Sequence, residues 1–404
     1  MKRLRLFETE SQYETAKVEF EYPTVSYVED TDTVHYMTLR EKYTKEYLTT
    51  EALESGTISF NILKSMGTDM ITSISYSTDN GDTWTTTNNT NNKSENLQIS
   101  VNVEEGDKVL WKGIATQTGY YDEDDYWDYV GSFFSSDCEF NAYGNIMSLL
   151  YGDNFYSNKN LGNTEGTFAY LFYDNDGEKT CEIVSAQNLI LPATTLADSC
   201  YYRMFYNCTS LTTAPELPAT TLATQCYDYM FSGCTSLTTV TELPATTLAD
   251  NCYAHMFQGC TSLTTAPELP ATTLANDCYS YMFWGCTSLT TAPELPATTL
   301  VTYCYWNMFY GCTSLTTAPE LPATTLADNC YNGMFYGCSN LNYVKAMFTT
   351  TQLVDPEGGE YIYTNGWVSG VASTGTFVKN SAAQWNVTGA NGVPDGWTVQ
   401  TASE

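Results

Sequence analysis

At 404 residues and 45.0 kDa the chain is longer than one ordinary domain, so two or three units are expected. Sixteen Lys and Arg against 47 Asp and Glu leave a net charge of −31, a field that repels phosphate backbones and anionic lipids. Neither nucleic acid nor a membrane surface is therefore an expected partner. With His35 and His255 the only histidines, a Ser-His-Asp triad, a Cys-His pair or a multi-histidine zinc site has almost nothing to be built from. No catalytic residue, metal or cofactor is expected.

The first residues carry Lys2, Arg3 and Arg5 and then meet Glu8, Glu10 and Glu14, without the apolar run of about 7–15 residues that a secretory signal needs. Synthesis and folding in a cytoplasm are the expectation. Residues 1–55 read as a separate amino-terminal segment. Their run YPTVSYVEDTDTVHY resembles amino-terminal segments of surface and virion proteins from Bacteroides phages, including crAss-like phages. That resemblance implies an anchor or trimerisation segment; the plain alternative is a strand pair at a domain edge.

From about Gly56 the texture changes. TISFNIL, MITSISYS, LQISVNV and KVLWKGIA alternate with the two-residue period of half-buried strands, and Asn80-Gly81 is a strong hairpin signal. Residues 56–145 are read as an antiparallel β-sandwich of immunoglobulin-like type. Within them Ser77 to Trp84 matches the Asp-box SxDxGxTW of sialidases. There the motif is a structural hairpin that recurs several times, and one copy favours the structural reading here too. The carboxylates between Tyr121 and Asp128 could hold calcium, but they lack the spaced loop geometry and read as a solvated loop.

The remainder is dominated by a repeat. LPATTL begins at Leu191, Leu217, Leu243, Leu269, Leu295 and Leu321, each 26 residues after the last. An uninterrupted period of this length means units that bury their apolar faces against one another. In the unit Leu243 to Glu268, Pro244 with Thr246 or Thr247 reads as a turn and helix N-cap, and Gly259 as a C-cap. About three turns of helix are expected between them. Leu263 to Ala266 reads as a short strand ended by Pro267. Stacked units would form a narrow parallel sheet on one side and a row of helices on the other.

The unit resembles the leucine-rich repeats of the Treponema pallidum type, also called BspA-like, in its Phe257…Cys260…Leu263 spacing and proline-bearing return. That resemblance implies a curved solenoid used in surface adhesion or recognition rather than catalysis. Met256, the extra Cys252-type position and the slightly longer period depart from the family pattern. Residues 146–190, with a part-repeat from about Thr167, and residues 346–404 read as caps on the repeats at 191–345. The closing GVPDGWTV resembles C-termini that follow such repeats in proteins of gut Bacteroidales and their phages.

Twelve of the fourteen cysteines lie in the repeats, and the pair in one unit, such as Cys252 and Cys260, is eight residues apart. Along a helix that is about 12 Å, beyond the roughly 4.4–6.8 Å Cα separation of a disulfide, so buried thiols are expected. On a helical wheel the positions shared by all copies fall on one half. The varying positions (Asp250, Asn251, Ala254, His255 and Gln258 in the third copy) fall within roughly 140° on the other. Nine of the thirty varying residues are aromatic: Tyr202, Tyr206, Tyr229, Tyr281, Trp284, Tyr303, Trp306, Tyr310 and Tyr336. None is Lys or Glu, and Arg203 is the only Arg. A merely solvated helix face would favour charged helix formers, whereas Tyr, Trp, Asn and Ser make an adaptable binding surface. These nine and His255 are the candidate ligand-binding residues. A packing face between subunits of a fibre, and neutral drift, are the competing readings.

The expectation is thus an α/β leucine-rich-repeat solenoid of 26-residue repeats preceded by a β-sandwich. Its expected role is that of a non-enzymatic virion fibre or decoration protein, homotrimeric, bound to other virion proteins through its amino-terminal segment. It would contact a host cell-surface glycan or protein. A Bacteroidales surface adhesin is the first alternative and a carbohydrate-active enzyme built on the Asp-box unit the second.

Overall fold

The computed structural model describes residues 24–30, 33–38, 46–63, 70–89, 96–122, 128–161, 164–173, 177, 179–348, 363–383, 385 and 387–402. The centre of the acidic loop, residues 123–127, and most of the amino-terminal segment lie outside them. Of that segment, β1 (Thr24–Asp30) and β2 (Thr33–Thr38) pair as an antiparallel hairpin.

The following strands are β3 (Leu48–Ala52), β4 (Gly56–Ile62), β5 (Ile71–Ser77), β6 (Thr85–Asn88), β7 (Leu97–Val103), β8 (Lys108–Ala115), β9 (Gly119–Asp122), β10 (Asp128–Gly131), β11 (Phe133–Ser136) and β12 (Phe140–Asn145). One sheet runs β11-β4-β7. A larger one runs β12-β3-β8-β5-β6 and continues beyond β12 into β13 (Ile183–Ile190). Alternation of the strands puts Ile58 and Phe60 of one sheet and Ile74 and Trp111 of the other in a common buried cluster, where Phe60 lies 4.9 Å from Phe134. β9 and β10 form a separate pair.

The Asp-box is the loop joining β5 to β6. Asp79 accepts the Ser77 hydroxyl at 2.7 Å and the Thr83 N–H at 2.8 Å, while Asn80 and Gly81 take positive φ. The Thr83 hydroxyl, then the Thr83 N–H and the Ser77 hydroxyl, donate to its carboxylate and hold Asp79 down at about 2. Trp84 donates to the Gly81 carbonyl and lies under the Lys112 ammonium at 3.9 Å from its ring centre. The side chains of Ser77, Asp79, Thr83 and Trp84 are thus hydrogen-bonded within the hairpin, and the loop is a turn.

β13 is the hinge of the architecture. It pairs in parallel with β12 on one side, while on the other Ser185 bridges Thr213 and the Val184 carbonyl accepts the Thr212 N–H at 2.8 Å. The amino-terminal sheet therefore runs on into the first repeat without a break in hydrogen bonding.

The expected row of helices is absent. Among the described residues the one α-helix is the four-residue α1 (Ser148–Tyr151), before the repeats. Between Thr247 and Cys260, and in the equivalent segment of every copy, the chain instead makes consecutive tight turns. Their amides alternate in use. Tyr202, Met204 and Tyr206 donate three residues back, to Ser199, Tyr201 and Arg203. Tyr201, Arg203 and Phe205 donate to the next copy, at Cys226, Asp228 and Met230. Half of the amides close turns and half tie rung to rung, so every amide of this segment is used without a helix. Each fourth residue has positive φ, as in Asn251 (55°), His255 (54°) and Gly259 (72°), which no α-helix permits. Gly259 has the conformation of a C-cap but has no helix to cap.

The expected Leu263–Ala266 strand also shrinks, to single parallel bridges such as Thr265 to Thr291. A second row of bridges, Thr247 to Thr273 among them, runs through the ATT segment that reads in sequence as an N-cap.

The interior is a set of columns. Tyr201, Tyr227, Tyr253, Tyr279, Tyr305 and Tyr331 are buried and stack with ring centres 5.6–5.9 Å apart, and the phenylalanines from Phe205 to Phe335 stack at 5.4–5.7 Å. All twelve repeat cysteines are buried and reduced. The second of each pair donates its S–H to a phenylalanine carbonyl one rung back, as Cys260 does to Phe231 at 3.2 Å and Cys286 to Phe257 at 3.1 Å. These thiols are small apolar groups with one weak donor, although the helix from which buried thiols were expected does not form.

Tyr201 makes a check on this interior. Its hydroxyl is fully buried with no hydrogen-bond partner among the described residues, and its ring lies between Phe168 and Tyr227. Tyr201→Phe keeps both stacks and removes an unpaid desolvation. It should raise stability by about 1–2 kcal/mol in denaturant melts, and a loss would mean that the hydroxyl has a partner.

Rungs of the same kind close both ends. Phe168 N–H donates to the Cys200 carbonyl, and Tyr331, Gly333 and Phe335 donate to Tyr363, Asn365 and Trp367. The last bridges continue as a parallel sheet of β14 (Tyr343–Ala346), β15 (Thr376–Lys379) and β16 (Thr398–Thr401). Trp367, Phe348, Phe377 and Trp385 pack over that end.

Candidate recognition face

Each rung turns through a period of four, two residues in and two out. In the third copy Cys252, Tyr253, Met256 and Phe257 are buried, whereas Asn251, His255, Gln258 and Gly259 reach the surface. The varying positions thus fall into columns, one residue per rung.

Three of these columns hold the positive-φ residues. The column of Gly259 is glycine in all copies but the first, which has Asn207. The column of Asn251 holds Ser199, Gln225, Asn251, Asp277, Tyr303 and Asn329. The central one holds Arg203, Tyr229, His255, Tyr281, Asn307 and Gly333. Glycine takes this backbone freely, and asparagine at modest cost. Bulky residues give up about 1–2 kcal/mol each to sit there. The central column nevertheless puts Arg, Tyr, His and Tyr in its first four rungs, although Gly333 shows that the fold accepts glycine. A Cβ at Gly333 would overlap the carboxamide of Asn307 on the rung before, so that glycine follows from its neighbour.

The side chains form a continuous aromatic surface. Tyr229 stacks on His255 at 4.0 Å and 4°, and His255 on Tyr281 at 4.8 Å and 12°. Tyr281 meets Trp306 and Trp284 edge-on, at 4.9 and 6.2 Å. Trp284 reaches Tyr310, which stacks on Tyr336 at 4.7 Å, and Tyr303 lies beside Trp306. At the other end Tyr206 contacts Tyr173 and Tyr229.

Ten residues were singled out in sequence, and the structure gathers them along one side, but not all equally. Trp284 and Tyr336 are 37% and 41% exposed, and most of the others are half-buried. Tyr202 is not outward at all: it is 6% exposed, because Tyr129 of β10 packs on it at 5.1 Å. Its column is also buried at Asp228, Ala254 and Ser280, beneath the larger side chains of the central column.

Stacking consumes ring faces. In Tyr229–His255–Tyr281 and Tyr310–Tyr336 the rings lie nearly parallel along the array, so neighbours cover their faces. Trp284 and Trp306 stand steeply across these stacks, at 68° and 66° to Tyr310 and Tyr281, and among the described residues neither has a stacked partner.

The charged groups of this side are internally engaged. The Arg203 guanidinium lies 4.8–5.6 Å from the ring centres of Tyr170, Tyr202, Tyr206 and Tyr229 and donates to the Tyr170 hydroxyl at 2.6 Å. Asp228 is buried between Arg203 and His255, whose Nδ1 is 3.2 Å from its carboxylate. Burial pushes the Asp228 carboxyl up, against the opposing pull of His255 and Arg203. Among the described residues no group of three or more His, Cys, Asp or Glu is placed to hold a metal ion, and no helix is long and apolar enough to cross a membrane.

Residues 181–290 and 254–355 match the family model described as BspA type leucine rich repeat region, in six copies. The stacked region is thus built of BspA-type leucine-rich repeats, compatible with a surface adhesin or attachment protein. No match was found for the chain among curated proteins or among solved structures.

The columns were partly legible in sequence as varying positions. What sequence reasoning missed is the positive-φ backbone beneath them. Its signal is present: Gly259, with Asn251 eight residues before it and His255 midway, marks a four-residue beat that glycine and asparagine favour.

Proposed function

We propose that the chain is a non-enzymatic attachment protein, in which a solenoid of BspA-type repeats carries an aromatic recognition face. The observation that carries this reading is the central column. Aromatic side chains occupy strained backbone where glycine is accepted, on the one side of the repeats that varies from copy to copy. Strain kept in a surface column points to use of the side chain.

The ligand favoured by the chemistry is an uncharged glycan of a host surface. Trp284 and Trp306 offer unstacked ring faces for sugar C–H groups, with Asn307 and Asn332 as polar partners. An acidic glycan would meet a chain of net charge −31. Arg203, enclosed by four tyrosines, is committed elsewhere. A virion fibre or decoration protein is the preferred setting, on the resemblance of the amino- and carboxy-terminal runs to phage proteins. In that setting a sandwich-like amino-terminal unit links the solenoid to other virion proteins in a trimer. A Bacteroidales surface adhesin would use the same face.

Binding of the purified chain to arrays of neutral and sialylated gut glycans tests this reading. Trp284→Ala and Trp306→Ala should each weaken a neutral-glycan ligand at least tenfold, about 1.4 kcal/mol, with oligomeric state unchanged. If the oligomer instead falls apart, the face is a subunit interface. Hydrolysis of any arrayed glycan would overturn the non-enzymatic reading.

A further inference from the structure

One cysteine pair differs from the rest. Of the fourteen cysteines Cys181 alone is not buried, and it lies outside the repeats, just before β13. The backbone register brings it to the first repeat. The Ser210 hydroxyl donates to the Glu182 carboxylate at 2.9 Å, Thr212 N–H donates to the Val184 carbonyl at 2.8 Å, and Ser185 bridges Thr213. Carried back along both strands, that offset of 28 residues sets Cys181 level with Thr209, one residue past Cys208 on the adjacent rung. Neighbouring parallel strands lie about 4.8 Å apart with a rise of about 3.3 Å per residue, so a one-residue diagonal is about 6 Å, inside the Cα range of roughly 4.4–6.8 Å that a disulfide spans. The two thiols are within hydrogen-bonding reach of each other, while Cys208 donates to the Phe172 carbonyl at 3.3 Å. In the later copies the equivalent thiol donates in the same way to the preceding rung, and the cysteines of those copies are all buried.

We infer that Cys181 and Cys208 are a modification site: a dithiol that closes to a disulfide when the folded chain meets a small-molecule disulfide. The accessible Cys181, as thiolate, attacks one sulfur of glutathione disulfide, forming a mixed disulfide and releasing one glutathione thiolate. Cys208 then gives up its proton to solvent and attacks Cys181 Sγ, releasing the second. Two protein thiols and one glutathione disulfide become one protein disulfide and two glutathiones, so the oxidant takes the electron pair. Cys208 is buried, so this second step waits on local opening of the rung. The bond would fasten the amino-terminal sheet to the repeats at the seam where β13 joins them.

The test uses the full chain, incubated folded with reduced or oxidised glutathione, then alkylated under denaturing conditions and mapped by mass spectrometry. The expected product has twelve alkylated cysteines instead of fourteen, a single crosslink between the peptides of Cys181 and Cys208, and a higher Tm. Cys208→Ser should stop at a stable glutathione adduct on Cys181, and Cys181→Ser should take up no glutathione and form no bridge. A wild-type chain that retains the adduct on Cys181, or that links any other pair, overturns the inference. If Cys208→Ser does not fold, pulse alkylation of the native wild type decides. Rapid labelling of Cys181 that prior oxidation abolishes, with no glutathione retained, supports the bridge, and labelling unaffected by oxidation overturns it.

Discussion

Alkali should unfold the repeat stack abruptly, over about two pH units above 9. Burial raises the pKa of all twelve repeat thiols above their ordinary 9.0. It does the same to the six stacked phenols, whose ordinary value is 10.0. A raised folded-state value means that the folded chain holds a proton which the unfolded chain releases. The contribution is intact below pH 9 and is lost as pH climbs from the unfolded value toward the folded one. Each group then removes about 1.4 kcal/mol per pH unit. A domain's stability of about 5–15 kcal/mol is exhausted within a unit or so when this many act together. The unfolded chain also sheds the self-repulsion of a net charge of −31, which deprotonation deepens. Far-ultraviolet circular dichroism against pH, with reductant present, should show a steep transition reversed at pH 7. A shallow change, or a stack intact at pH 12, would mean that water reaches these columns.

Removing one ring from the middle of the stack should be nearly as damaging. Phe257 is 1% exposed and lies between Phe231 and Phe283, each 5.7 Å away and within 9° of parallel. Phe257→Ala opens a cavity that the flanking rungs cannot fill, because hydrogen bonds on both sides fix their backbones. The expected loss is about 3–5 kcal/mol. Each rung touches only its neighbours, so the defect should divide the array as well as weaken it. Urea melts should show a lower midpoint, a smaller m and two transitions. A cost under about 1 kcal/mol would show that the rungs close up, against the rigid register described above.

The sequence carried the 26-residue period, the buried columns and the separation of fixed from varying positions. It did not carry the conformation between Leu248 and Cys260. A helix returns every 3.6 residues and the turns every four, so over two revolutions the readings differ by less than one residue. Cys252, Tyr253, Met256 and Phe257 satisfy either. What decides for turns is the hydrogen bonding of alternate amides to the next copy, which a wheel drawn for one copy cannot show. The wheel also put Tyr202 outside, because nothing near it in sequence announces that Tyr129 will cover it. The positive-φ backbone was masked for a different reason: Arg203, Tyr229, His255 and Tyr281 are residues that do not advertise it. The aromatic composition of the varying positions was plain, whereas the steep tilt of Trp284 and Trp306 arises only from neighbours in other copies.

The identity of the interior from copy to copy has an evolutionary corollary. Because each rung presents the same buried residues and the same free amides to the next, any copy is an acceptable neighbour for any other. Unequal crossing-over between the nearly identical coding segments would delete, duplicate or reorder whole rungs and still give an unbroken ladder. The outward side chains would be dealt into a new order each time. A gene built this way can change what its product meets without renegotiating how the product folds.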